Sequence, residues 1–148
     1  MNAGKSTALL QVAHNYEEQG QKVKLYTAVI DSRYGVGQVT SRLGPQRHVD
    51  TFGPETDFLA ENPQVACVLV ICYGLRSDFR GEPFPGSAYL LALADDIEEI
   101  KNICTCGKKA TMNIRVDEAG NRIREGAQVD IGGNERYRQA CGRCFYSS

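Results

Sequence analysis

Met1-Asn2-Ala3-Gly4-Lys5-Ser6-Thr7 opens the chain and decides how the rest is read. Gly4-Lys5-Ser6 is the tail of the P-loop pattern G-x-x-x-x-G-K-[ST]. In that loop, backbone N–H groups wrap a phosphate chain, the lysine neutralises its outer phosphates and the hydroxyl ligates Mg²⁺. The motif runs into a helix, because Leu9, Val12, Ala13 and Tyr16 recur at the spacing of one helical face and Gly20 stands where the pattern stops. This predicts a helix over residues 5–19. Lys22 to Ile30 then turns from alternating to wholly apolar and predicts a strand, whose carboxyl end runs into Asp31-Ser32-Arg33-Tyr34-Gly35. A loop in that position, after a helix with this start, reads as the second edge of a phosphate site. The other reading is an ordinary helix whose first-turn lysine is solvated.

Outward from this unit, residues 36–64 are broken at Gly37, Gly44, Pro45, Gly53 and Pro54, carry at most a short helix, and are assigned no site. Val65 to Tyr73 is an apolar run of nine residues, read as a buried parallel strand closing at Gly74, with Cys67 and Cys72 buried inside it. A second helix is expected over Ser87 to Ile100, with Leu90, Leu93, Ala94 and Ile97 on one face. Beyond it, four cysteines, many glycines and alternating stretches such as Ala110 to Val116 predict a small β-rich lobe. The expected architecture is α/β: a P-loop NTPase-like parallel sheet with helices over residues 1–100, and a zinc-binding lobe over 101–148.

Composition narrows the function. The 148 residues, 42% hydrophobic and 24% charged, suit a soluble globular protein and exclude disordered and fibrous classes. Lys and Arg number 17 against 18 Asp and Glu, so no bulk field holds the chain on nucleic acid or an anionic membrane. An apolar run of nine residues falls far short of a membrane span, and the first residues lack the pattern of a signal or transit peptide. Cytoplasm is the expected compartment.

Two close cysteine pairs mark a second centre: Cys104-Thr105-Cys106-Gly107 and Cys141-Gly142-Arg143-Cys144, with 34 residues between them. Four thiolates meet the tetrahedral demand of a structural Zn²⁺, and a lobe this small gains from such a staple. C-x-x-C is a strong half-site, and C-x-C is tighter than usual. The competing reading is four reduced, packed thiols. His14 and His48 are isolated and carry no site.

A third constellation can hold a planar ligand. Phe79 and Phe84 follow the strand end at Gly74-Leu75, and Tyr137 precedes Cys141 by four residues. Aromatic faces suit a base, and backbone groups near Gly132-Gly133 can read its polar edge. Each ring singly could as well be core.

Read together, Met1 to Thr7, Asp31-Ser32-Arg33-Tyr34, Cys72-Tyr73-Gly74-Leu75-Arg76-Ser77-Asp78-Phe79-Arg80-Gly81 and Ile131-Gly132-Gly133-Asn134-Glu135-Arg136-Tyr137 resemble the zinc-containing thymidine kinases of bacteria and animal cytosol. The match covers nearly the whole chain, in order. The resemblance implies transfer of the ATP γ-phosphoryl group to the 5′-hydroxyl of thymidine, a structural zinc on the four cysteines, Mg-ATP as substrate and a homotetramer. It assigns Met1, Asn2, Ala3, Gly4, Lys5, Ser6, Asp31 and Arg33 to the ATP–Mg end. Thymidine falls to Leu75, Phe79, Phe84, Ile131, Gly132, Gly133 and Tyr137, the last four in a lasso closing over the nucleoside.

Two expected parts are missing from the sequence. A P-loop is the turn between a strand and a helix, yet no strand stands before Met1. In the family, the strand matching Cys67 to Val70 runs on into an Asp-Glu pair, the Asp for the metal and the Glu as general base, and then a helix. Here Val70 is followed directly by Ile71, as if two strands were joined without their connection. No catalytic base is therefore assigned. The alternative function is a catalytically impaired, zinc-stabilised nucleotide- or nucleoside-binding remnant.

Overall fold

The computed structural model describes residues 4–64 and 69–147 of the chain. They form a mixed α/β structure that divides into two compact units, Ser6–Tyr73 and Gly74–Ser148, the second also taking in Met1–Lys5.

In the first unit, α1 (Lys5–Glu18) follows the expected bounds closely. Of its apolar face only Ala13 is fully buried, and Tyr16 is exposed. Strand β1 (Tyr26–Ala28) pairs in parallel with β4 (Asp50–Phe52), in the register Tyr26↔Asp50, Thr27↔Thr51 and Ala28↔Phe52. The strand expected over Lys22 to Ile30 is thus much shorter. One more bond, from Val29 N–H to the Phe52 carbonyl, extends the ladder. Pro54, which has no N–H to give, then stands where β4 would continue. Val29 and Ile30 are left exposed.

Between these strands lies a hairpin that periodicity did not disclose, β2 (Gln38–Thr40) antiparallel to β3 (Gln46–His48). Its turn is closed by Ser41 and Pro45, which share a 2.7 Å backbone bond, and Gly44 turns at φ 115°. The hairpin is tied to α1 by Thr7 and Ser41 hydroxyls 2.6 Å apart and by a two-point contact of the Arg47 guanidinium with Glu17 at 2.6 and 2.9 Å. Leu25, Val39 and Ala13 supply the buried apolar side chains of this unit.

The expected strand over Val65 to Tyr73 is not seen where it can be judged. Val65 to Val68, with Cys67, lie outside the described residues, and residues 69–73 carry no strand. Leu69, Val70 and Ile71 are 66%, 71% and 44% exposed, and Cys72 is exposed rather than buried. A run this apolar becomes a central strand only between neighbours that pair with it.

The second unit begins with a loop pinned by the isolated bridge Ser77↔Pro83, followed by α2 (Pro85–Leu93). Pro85 presets the first helical turn, and the Ser87 hydroxyl donates to the Leu75 carbonyl at 2.7 Å. The helix stops at Ala94, well short of the expected Ile100, and Ile97 is exposed. Continuing it would stack Asp95, Asp96, Glu98 and Glu99 at the negative end of the helix dipole and at mutually repelling spacings.

The β-rich lobe is a three-stranded antiparallel sheet in the order β6 (Arg122–Ile123), β5 (Met112–Val116), β7 (Tyr137–Ala140), with α3 (Gly142–Ser147) following directly. Its core is Cys104, Ala110, Ala140, Cys141 and Phe145, with Met112, Ile114 and Cys144 packed against it. Three of the four paired cysteines, Cys104, Cys141 and Cys144, therefore belong to or pack against this core, and Cys106 is exposed. Among the described residues, no helix is long and apolar enough to cross a membrane.

Candidate functional site

The residues expected at a phosphate begin at the start of α1. Gly4 sits at φ 76°, a left-handed conformation in which a side chain is strained, and releases the chain directly into Lys5 and Ser6 as the first helical residues. Met1, Asn2 and Ala3 lie outside the described residues. At the carboxyl end of β1, Arg33 Nε donates to Asp31 Oδ1 at 2.7 Å and Nη2 to Oδ2 at 2.5 Å. The guanidinium of Arg33 beside Asp31 holds its carboxyl below the usual range. The pair so formed is internally neutral.

The four cysteines converge. Sulfurs of Cys104, Cys106, Cys141 and Cys144 all lie within 4.8 Å of one another, with Cys106 and Cys141 at 3.6 Å. Metal–sulfur bonds of ~2.3 Å in a tetrahedron place sulfurs ~3.8 Å apart, so the cluster fits one metal ion. Two turns bring the ligands together. Gly107 at φ 81° closes the first, its N–H on the Cys104 carbonyl at 2.9 Å. The second is the entry into α3, where Phe145 N–H bonds the Cys141 carbonyl at 2.9 Å.

Local electrostatics divide the thiols. Backbone N–H groups of Cys106 and Cys141 draw Cys104 down to about 6, and the Cys144 N–H lowers Cys141. Cys144 is pushed up to about 12 by its neighbours, Cys106 first. Holding all four as thiolates in so small a volume would take a cation. Among the described residues this is the one group of three or more such side chains placed to hold a metal.

The expected base-binding residues all fall in the second unit. Among the described residues Phe79 is the most buried large side chain, 1% exposed, and Tyr137 is buried at the start of β7. Gly132 and Gly133 are buried, Leu75 and Phe84 half-buried, and Ile131 exposed. The loop 130–137 is closed on itself. The Gly133 N–H donates to Glu135 Oε1 at 2.5 Å, its carbonyl accepts the Tyr137 N–H at 3.0 Å, and the Tyr137 hydroxyl donates to the Asp130 carbonyl at 2.9 Å. A Cβ at Gly132 would come within 2.9 Å of the Arg136 side chain, so glycine permits this close approach. The backbone groups of Gly133, expected to face a ligand, are occupied inside the loop. An open depression of ≈ 530 Å³ lies elsewhere, lined by residues 53–57, Ala60 and Glu61.

Sequence reasoning missed Arg115. It is buried on β5, 4.0 Å from the Phe79 ring centroid and donating to the Tyr137 hydroxyl from Nη2 at 2.8 Å and Nε at 3.1 Å. The available signal was an arginine within the alternating stretch Met112 to Val116.

Asp78, the carboxylate nearest to the absent Asp-Glu pair, is not placed to act as a base. Its side chain is 0% exposed and accepts N–H bonds from Arg80 at 2.8 Å and Glu82 at 2.9 Å, as well as the Arg80 guanidinium. Burial pushes its carboxyl up, but these donors together hold it below the ordinary 3.8. A carboxylate depressed in the folded state stabilises fully above 3.8, and its contribution is lost as pH falls through the lower folded value. We expect Asp78→Asn to lower stability at pH 7 by roughly 1–3 kcal/mol. The deficit relative to the unaltered chain should shrink as melts are taken at pH values falling from 3.8 through the lower folded value, where the buried carboxylate protonates. Equal melting at neutral pH would show that the Asp78 turn contributes nothing.

The family model described as Thymidine kinase matches residues 1–69 and 55–145. The chain is 55% identical over 172 aligned positions to the thymidine kinase of Chromobacterium violaceum, covering 99% of this chain and 94% of the relative. The chain belongs to the thymidine kinase family. It is also 49% identical to the thymidine kinase of Albidiferax ferrireducens and 43% to that of Coxiella burnetii, covering 88% and 90% of those proteins. A thymidine kinase alignment of 172 positions exceeds the 148 residues available, so at least 24 positions have no counterpart in this chain. Such a shortfall accords with a lost thymidine kinase segment between Val70 and Ile71.

Proposed function

We propose that this chain is a thymidine kinase whose reaction is in-line transfer of the ATP γ-phosphoryl group to the 5′-hydroxyl of thymidine, giving dTMP for DNA precursor synthesis. The observation that carries this reading is identity of 43–55% with proteins named thymidine kinase along nearly the whole chain. Residues 1–100 form the P-loop nucleotide-binding part, and residues 101–148 the zinc lobe with its lasso.

At the phosphate end, the N–H groups of the loop ending at Gly4 cradle the phosphates and Lys5 neutralises them. Ser6 holds Mg²⁺, Asp31 orients metal-bound water or phosphate, and Arg33 meets the charge of the transferring group. For that, Arg33 and Asp31 exchange part of their mutual contact for ligand. Structural zinc fits the Cys104, Cys106, Cys141 and Cys144 donor set, which is four cysteine sulfurs close enough together to surround one ion. Thymidine is taken by Leu75, Phe79, Phe84, Ile131, Gly132, Gly133 and Tyr137. Family resemblance further supports a cytoplasmic homotetramer.

A second reading, a remnant that binds nucleoside but turns it over poorly, is favoured by one observation. The alignment with relatives is longer than the chain, and the residues flanking the expected gap, Leu69, Val70 and Ile71, stand exposed. Nucleoside recognition should then outlast catalysis, since its determinants are all present. Calorimetry on zinc-loaded protein should detect thymidine, and Tyr137→Ala should weaken binding by on the order of 1 kcal/mol or more, the scale of a lost aromatic–base contact. A folded, zinc-loaded chain that takes up no thymidine removes the pocket assignment.

A further inference from the structure

We propose that Arg115 is the positioning residue that fastens the loop 130–137 to Phe79 and so assembles the nucleoside pocket. The inference rests on the thymidine-binding reading above. Arg115 is 5% exposed, which for a guanidinium carries a substantial desolvation cost. An arginine kept buried for stability alone would be expected to spend its fork on a carboxylate. The nearby Asp130 carboxylate is 4.0 Å from Nε and is itself engaged by Arg136 at 2.5 Å. Arg115 instead spends two N–H donors on one neutral phenol, at 2.8 and 3.1 Å.

That choice has a geometric result. With two donors aimed at its oxygen, the Tyr137 hydroxyl can only accept from Arg115, and its own proton is directed to the Asp130 carbonyl at 2.9 Å. The hydroxyl rotor, the ring and the start of the loop are fixed together. The other face of the same guanidinium lies over Phe79, at 4.0 Å, and its carbon is 5.4 Å from the Tyr137 ring centroid. Phe79 comes from the loop after Ser77 and Tyr137 from β7. One side chain on β5 thus sets both rings.

Hydrogen exchange and calorimetry on the full, zinc-loaded chain test this, using Arg115→Met, Arg115→Lys and Tyr137→Phe. Arg115→Met should speed amide exchange in residues 126–137 at least about tenfold while residues 103–110, beside the cysteine cluster, keep their rates. It should weaken thymidine about tenfold, and Arg115→Lys, which keeps the cation and a donor, should recover binding to within about threefold. In a Tyr137→Phe background the Arg115→Met loss should be clearly smaller, because the shared bond is already gone. Exchange left unchanged in 126–137, or raised equally in 103–110, overturns the inference, as does full multiplication of the two single losses. A loosened loop in a protein whose unaltered form takes up no thymidine supports the positioning role and removes the nucleoside reading instead.

Discussion

Replacing Cys141 by serine should abolish stable folding of the β-rich lobe. Structural zinc sites of this kind contribute apparent binding free energies on the order of 10 kcal/mol, which exceeds what so small a core supplies alone. Cys141 is also 6% exposed within the core cluster, so its substitution removes a ligand and buries a hydroxyl at once. Elemental analysis should find about one zinc per unaltered chain and well under a tenth of that in the variant, with loss of near-ultraviolet dichroism and of protease resistance. Cys106→Ser separates the two effects, because Cys106 is exposed and its loss costs ligation without core packing. It should release zinc too. A Cys141→Ser chain that stays folded and keeps its zinc would refute the metal assignment.

Turnover is the other large expected effect. This chain should phosphorylate thymidine at least ~10²-fold more slowly than an intact relative such as the Chromobacterium violaceum enzyme, since a general base supplies about 10² to 10⁴. Asp78 cannot make up the loss while its carboxylate is fully buried and held by the Arg80 and Glu82 N–H groups. Grafting the relative's residues between Val70 and Ile71 should raise the rate by a comparable factor. Equal turnover by the unaltered chain and the relative, measured as dTMP formed under saturating ATP, would contradict this account.

The parts of the fold legible in sequence are those whose signal is local. α1 was readable because its apolar spacing and Gly20 lie within one stretch, and the cysteine pairs because ligand spacing is a local constraint. The hairpin β2–β3 was not. Its strands are three residues each, Gln38–Thr40 and Gln46–His48, and only Val39 is buried, so there is no alternation to detect. Residues 69–73 of the expected strand and the helix expected to Ile100 show the opposite error, in which apolar content suggested burial that depends on neighbours elsewhere in the chain. Residues 69–73 carry no strand, and α2 leaves Tyr89, Leu90, Leu91 and Leu93 exposed. Of the residues proposed for the nucleoside, the aromatics were named from motifs, but Arg115 was not, because its contacts join separate segments, the Phe79 loop and β7, to β5.

β7 is only four residues long, with Tyr137 at one end and Ala140 adjoining Cys141 at the other. A strand this short leads directly from one to the other, so unfolding of the lobe on metal loss would free the ring on Tyr137 as well. If thymidine rests on that ring, partial metal loss will not give a population of weaker sites but a mixture of competent and vacant molecules. The active fraction of a preparation would then be read from its metal stoichiometry, and a chelator titration would behave like an active-site titration.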